Sequence, residues 1–485
     1  MYECLKGLEP ARVFEIFDQL CRIPHGSGNE KAISDYICRF CKDRELWVLQ
    51  DEAYNLIIRK PATPGYEKAP VVVLQAHLDM VCEKNGDKVH DFEKDPITVL
   101  RDGDRIYGDG TTLGADDATG VAFAMCVLEA EGLSHPALEV VLTADEEAGM
   151  SGIKALDFDQ LQGRVIINLD CSDEGIVVGC AGSAVVRMSL ELERETVPGN
   201  WESGTVKIRG LKGGHSGLDI TKERGNANVL LARLLSGLAC TCRVRLGSFD
   251  GGLQTNAICR EAEAKIAFPA DSRDTLLQCI MDWENIFRKE FKISDPDVQV
   301  LMEDTAEPWG VYTEEGAERL LDTLLNIDCG VMAMNVEVPG VPETSGNIGV
   351  VTSARSGVVI RTLYRSCLDS KKQYAIDKNR RLARLCGAEF QVESSSPEWE
   401  YQADSRLSAL IQRIYRERFG RDLAVEVSHG GNECGTFFQK FPEADIVCTG
   451  TRIIGAHTPD ESVMVSIIQQ EWEMLCLTLE GMLSY

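Results

Sequence analysis

The sequence predicts an α/β fold interrupted by an α+β insertion, and three observations carry that expectation. Short buried-looking apolar runs alternate with amphipathic stretches from the start of the chain to about residue 185. The texture then changes to alternating, half-exposed strands and longer helices, with an antiparallel character, as far as about residue 398. Beyond that point the α/β pattern returns and runs to residue 485. Residues 1–185 and 399–485 are therefore expected to be two parts of one domain, with 186–398 inserted between them.

In chain order, helices fit Pro10 to Cys21 and Asn29 to Arg44, and strands fit Trp47 to Gln50 and Leu56 to Arg59. Val71 to Ala76 follows as a buried strand, apolar but for one Gln, and polarity switches at once to His77-Leu78-Asp79. Ligands of open α/β sheets sit beyond the carboxyl ends of the strands. A His there with an Asp two residues on suits a metal ligand and its orienting partner; it equally suits a polar turn. Arg101 to Gly110 reads as a polar hairpin. Asp116 and Asp117 then precede an apolar-rich helix, Val121 to Glu131. One carboxylate suffices as an N-cap, and here there are two.

The strand Leu138 to Ala144 ends in Asp145-Glu146-Glu147, three carboxylates that repel unless solvated or paired with cations. The strand Val165 to Leu169 closes on Asp170, which a turn alone would also explain. Near the other end, the strand Ala444 to Thr449 is followed by a loop that delivers His457. Thr458-Pro459-Asp460-Glu461 reads as a capping box opening a helix to about Leu483. Inside the insertion, Val185 to Leu192, Gly204 to Arg209, Val298 to Glu303 and Gly357 to Tyr364 read as strands. Asn226 to Leu238, Asp271 to Phe291 and Glu315 to Asn326 read as helices.

His77, Asp116, Glu147, Asp170 and His457 together make a mixed imidazole and carboxylate set. Such donors suit Zn²⁺, with Mn²⁺ or Co²⁺ as substitutes. Five ligands exceed one catalytic zinc site, and one carboxylate bridging two ions accounts for the number.

Composition sets limits on partners. Fifty basic residues against 77 acidic give a net charge of −27, which argues against nucleic acid or an anionic membrane as partner. No run of about 18 apolar residues is present to span a bilayer. The first residues read as an amphipathic helix rather than a signal peptide. The 18 cysteines are dispersed, and Cys38 with Cys41 lacks a second pair at zinc-site spacing, so reduced thiols in a cytoplasm are expected.

These residues, in this order, resemble the co-catalytic zinc peptidases that include aminoacylases, carboxypeptidases and dipeptidases. The family order is His-x-Asp, a bridging Asp, Glu-Glu, Asp or Glu, and a distant His. Further likeness to the aminoacyl-histidine dipeptidase branch lies in QAHLDMVCEKN, GTTLGADD, TADEEAGMSG, KGGHSG, TNAI and HGGNECG and extends over essentially the whole chain. Asp117 departs from that branch, where Asn is frequent.

The resemblance implies a zinc-exopeptidase-like catalytic domain with a central mixed sheet flanked by helices. It implies that 186–398 is a lid through which two chains form a homodimer, and that two divalent ions, Zn²⁺ first, are held by the five residues. It implies a cis peptide between Asp116 and Asp117, Glu146 as general base and Asp79 behind His77. His215 is implied as an oxyanion donor, with Asn256, Arg365 and His429 contacting a small peptide substrate. The implied reaction is hydrolysis of dipeptides, Xaa-His among them. N-acyl-amino-acid deacylation or carboxypeptidase action on the same scaffold, and a metal-dependent binding protein without turnover, are the alternatives.

Overall fold

The computed structural model describes residues 2–171, 175–197, 199–305 and 310–485, and the chain separates into two compact units. The first comprises Met1–Gly179, Tyr401–Val427 and Asn432–Tyr485. Its centre is a mixed eight-stranded sheet. Four strands in its middle run parallel, in the order Leu138–Thr143, Val72–His77, Val165–Asn168 and Asp445–Cys448. The first three are buried along their whole length, as a parallel sheet covered on both faces requires.

The register of these four strands fixes where the chemistry lies. His77 stands opposite Thr143, Gln75 opposite Asn168, and Asn168 opposite Cys448. The carboxyl ends therefore finish within two residues of one another, and whatever follows each strand emerges along one edge. Trp47–Gln50 and Leu56–Lys60 extend the sheet antiparallel on one side. A small four-stranded sheet joins Val99–Asp102, Arg105–Gly108, Ser462–Met464 and Ile453–Ile454.

The helix expected from Val121 begins earlier, at Ala115, and ends at Glu129, with non-helical backbone at Asp116 and Asp117. The helix expected from Thr458 begins only at Val465 and runs to Gly481. Thr458 to Glu461 form a turn instead, and Ser462–Met464 is a strand on the Arg105–Gly108 hairpin. The capping box does not form, because the Glu461 carboxylate is engaged elsewhere in the unit.

The second unit comprises Cys180–Glu400 and Ser428–Gly431. Ser428–Gly431, which the sequence reading leaves in the C-terminal part, groups here. This unit is an antiparallel sheet of nine strands with helices Ala227–Thr241, Arg273–Glu290, Glu314–Asn326 and Asp369–Leu385. Gly182–Glu191 alternates strictly: Ala184, Val186, Met188 and Leu190 are buried, and join Leu231, Leu234, Leu276, Leu320 and Ile376 in one core. That alternation is the period-2 signal of a sheet with one covered face. All 18 cysteines are free thiols.

Candidate metal centre

Each parallel strand end delivers a polar side chain, and the register brings them together. His77, the last residue of its strand, is buried, with Nε2 3.3 Å from Asp116 Oδ1 and 3.9 Å from Asp170 Oδ1. Asp116 Oδ2 lies 3.8 Å from His457 Nε2, which is 2.9 Å from Glu147 Oε1. Ligand atoms of His77, Asp116 and Asp170 fall within 4.8 Å of one another, as do those of Asp116, Glu147 and His457. Asp116 belongs to both sets and turns one oxygen to each. A third group, His77, Glu146 and Glu147, meets the same limit. The five expected ligands and the expected base thus converge.

The adjacent pair of aspartates divides two tasks. Asp117 is buried and caps the helix proper: its Oδ1 accepts the Gly120 N–H (3.1 Å) and its Oδ2 accepts the His77 N–H (3.2 Å). That leaves Asp116 for the cluster. The peptide joining them is cis.

Glu146 and Glu147 lie on a short helical turn, Glu146–Gly149, after Asp145 in a left-handed conformation. The fully buried Asp79 holds this turn, accepting the N–H of Glu146 (2.9 Å), the N–H of Glu147 (3.1 Å) and the Ser27 hydroxyl (2.7 Å). His77 Nδ1 is 3.1 Å from the Asp79 carbonyl and 3.5 Å from its carboxylate. Asp79 therefore orients His77 chiefly through its main chain, while its carboxylate fastens the two glutamates.

The electrostatics are those of a buried site short of positive charge. Burial, with the neighbouring Asp116, pushes the Asp170 carboxyl well above the usual range. Burial and Glu147 do the same to Glu146, and burial raises Asp117 to about 8. Burial opposes charge on His77, but Asp116, Asp79 and Asp170 overcome it and hold its pKa well above the ordinary value. The hydrogen bond that His457 donates to Glu147 raises its pKa to about 9. Burial works against the Asp79 anion too, yet His77 and the donors around it keep it at about 2. Bound cations would relieve this crowding of carboxylates, and an imidazole and carboxylate set suits divalent ions. The residues present fit a pair of divalent ions.

Two buried glutamates near this edge escaped the sequence reading. Glu433 accepts from Thr143 Oγ1 (2.6 Å) and from the Gln75 amide, and burial raises it to about 7. Glu461 accepts main-chain N–H groups from Leu113 to Asp116, and burial raises it to about 7. Nothing in the local pattern marks either: Glu433 sits after a Gly-Gly-Asn turn, and Glu461 fits a helix cap.

The remaining expected residues lie in the second unit. His215 pairs with Ala257 across a two-stranded ribbon, next to the exposed Asn256, whose carbonyl accepts the Ser216 N–H (2.8 Å). His215 Nδ1 accepts the Leu218 N–H (3.2 Å), and its Nε2 is 3.3 Å from Arg365 Nη2. Arg365 is buried without a carboxylate partner among the described residues, and burial lowers its pKa to about 10. His429 meets Ser345 Oγ at 2.7 Å; burial and Arg365 lower it to about 3, so its ring is neutral.

The profile of "Peptidase family M20/M25/M40" matches residues 73–481. The chain belongs to this family. Within it, the chain is 40% identical over 472 residues to the cytosol non-specific dipeptidase of Escherichia coli, covering 97% of each. The aminoacylhistidine dipeptidase of Vibrio alginolyticus superposes with a TM-score of 0.89 at 37% identity, covering 99% of this chain and 98% of that one. Aminopeptidase PepT of Bacillus cereus, at 17% identity and a TM-score of 0.56 over 98% and 99% of the two chains, shares the fold. Residues 73–481 run from the His77 strand past His457, so the M20 match spans every member of the cluster.

Proposed function

We propose that this M20 chain is a two-metal dipeptidase in which His77, Asp116 and Asp170 would hold one divalent ion and Asp116, Glu147 and His457 a second. The observation that carries the reading is Asp116, one oxygen turned to each imidazole. The chemistry that divalent ions supply at such a site is Lewis-acid activation of a water and of the scissile carbonyl. Zn²⁺ suits the donors best, with Mn²⁺ or Co²⁺ as substitutes.

Glu146 takes the proton of the attacking water and returns it to the leaving amine. Asp79 holds Glu146 and Glu147 through their N–H groups. The resemblance assigns His215 a hydrogen bond to the developing oxyanion, Arg365 the substrate carboxylate, and Asn256 and His429 further contacts with the substrate.

The substrates are dipeptides, Xaa-His among them, in keeping with the names of the Escherichia coli and Vibrio relatives. A cytosolic location is in keeping with the name of the Escherichia coli relative. The test is a panel of dipeptides, N-blocked amino acids and longer peptides on Zn-, Mn- and Co-loaded protein. Turnover confined to free dipeptides is expected. Preference for blocked amino acids would make the chain a deacylase, and no turnover with any metal would reject the reading.

A further inference from the structure

Glu461 lies four residues after His457 in a segment with no helix of its own, yet its side chain is 2% exposed. The carboxylate reaches across the unit to the turn that carries Asp116. Oε2 accepts the N–H groups of Leu113 (2.9 Å) and Gly114 (3.1 Å). Oε1 accepts those of Ala115 (2.8 Å) and Asp116 (3.3 Å). Four consecutive main-chain donors, two before and two at the start of the helix from Ala115, converge on one carboxylate as in a main-chain anion nest. Gly114, at φ +72°, makes it possible by turning the chain left-handed; a Cβ there would also sit 2.7 Å from Met80 Sδ. Among the described residues Glu461 forms no ion pair, and its carboxylate is met by main-chain dipoles.

We propose that Glu461 is a positioning residue for the metal centre, a buried clamp that locks the Asp116 turn to the His457 loop. This rests on the two-metal reading above. On one side of Glu461, the N–H of Glu461 closes a turn onto the Thr458 carbonyl (3.0 Å), and Thr458 Oγ1 donates to the Gly455 carbonyl (2.7 Å), bracketing His457. On the other side, Ser462–Met464 pairs with Arg105–Tyr107 in the hairpin that precedes the Asp116 turn. The two loops are more than 300 positions apart in sequence, and they supply the two residues whose side chains meet at 3.8 Å. Without the carboxylate, four buried N–H groups lack an acceptor, and the turn relaxes toward other partners. Because Asp116 serves both triads, both ions are loosened together.

The test compares Glu461→Gln, Glu461→Asp and Glu139→Gln. Gln keeps the volume but turns an amide N–H₂ toward two N–H donors. Asp keeps the charge on a shorter arm. Glu139 is a buried control: its Oε2 accepts the N–H groups of Gln162 and Gly163, both at 2.9 Å, at the opposite end of its strand from Glu146. Three readouts apply: Zn²⁺ affinity by chelator competition, the absorption spectrum of the Co²⁺ form, and hydrogen exchange at residues 113–116 in metal-free protein.

Glu461→Gln is expected to weaken both ions by roughly 10- to 100-fold, the usual cost of losing a partner that orients a ligand. It should shift the Co²⁺ spectrum, speed exchange at 113–116 and lower kcat more than it raises KM. Glu461→Asp should recover part of each effect and carries the comparison if Gln does not fold. Glu139→Gln should lower thermal stability while leaving metal affinity and spectrum as in wild type. Wild-type affinity, spectrum and exchange in Glu461→Gln, or equal losses in Glu139→Gln, would overturn the clamp. Wild-type protein that takes up no metal pair would overturn the two-metal reading first, and is seen without any variant.

Discussion

His457 Nε2 lies 2.9 Å from Glu147 Oε1, although 310 positions separate them in the chain. One follows the strand Asp445–Cys448 and the other follows Leu138–Thr143, and the strands between them run parallel and end within two residues of one another. In the metal-free protein this is an ion pair, because the hydrogen bond to Glu147 raises the His457 pKa to about 9. The sign is that of a raised imidazole: the pair's stabilisation is complete below about pH 6.5 and fades as pH rises through about 9. A cation bound by both side chains must displace that proton. Zinc titrations at pH 7 in two buffers of different ionisation enthalpy should therefore show net proton release, and apparent affinity should climb between pH 7 and 9. Heats independent of buffer would contradict the ligand role of His457.

The adjacent glutamates separate metal holding from proton transfer. Glu146→Gln keeps the volume and removes the basic oxygen. Metal content should stay near wild type while kcat falls by roughly 10² to 10⁴, the usual worth of general acid–base catalysis. Glu147→Gln removes a charge from the His457 side and should lose one ion, with partial recovery in excess metal. Metal analysis and kinetics on both variants decide it: loss of metal from Glu146→Gln alone would reverse the roles.

Much of this centre was legible because buried parallel strands write themselves as apolar runs that end abruptly in a polar residue. Val72–His77, Leu138–Thr143 and Val165–Asn168 are of that kind, and each leads directly to a member of the cluster. The direction of the two glutamates was not legible. Alternation along a strand would separate them, but Asp145 turns left-handed and a helical turn follows, so both come near His77. Glu461 was hidden for a different reason. Thr-Pro-Asp-Glu satisfies every local requirement of a helix start, and the competing contact lies with residues far away in sequence. Asp117 was readable only as half of a pair, since either aspartate could have capped the helix.

Self-association tests the part of the reading that rests on family resemblance. The 186–398 segment is expected to join two chains, so light scattering at micromolar concentration should give twice the 53.5 kDa of one chain. A mass of one chain would contradict the homodimer that the resemblance implies while leaving the metal centre intact.

Glu471 offers a test of the core that does not involve the cluster. It stands on the helix Val465–Gly481 and lines an apolar pocket with Phe123, Ile167, Leu169, Ile411 and Leu475. Its only hydrogen bonds among the described residues come from Thr449 Oγ1 (3.4 Å) and the Gln470 amide (3.2 Å), both long, and burial raises its pKa from 4.5 to about 7. A carboxyl raised in the folded state costs stability where the unfolded chain has already ionised. Between about pH 4.5 and 7 the folded protein keeps a proton that the unfolded chain has released, so stability falls as pH rises through that window and levels off above it. Glu471→Gln abolishes the titration with almost no change in shape. Its advantage over wild type in urea denaturation should grow by about 1 to 2 kcal/mol from pH 5.5 to 8, less than the full pKa displacement implies because the residue is only part-buried. An advantage that stays constant with pH would mean that Glu471 ionises normally. A loss of stability at pH 8 would mean that its carboxylate has a partner in solution stronger than Thr449 or Gln470.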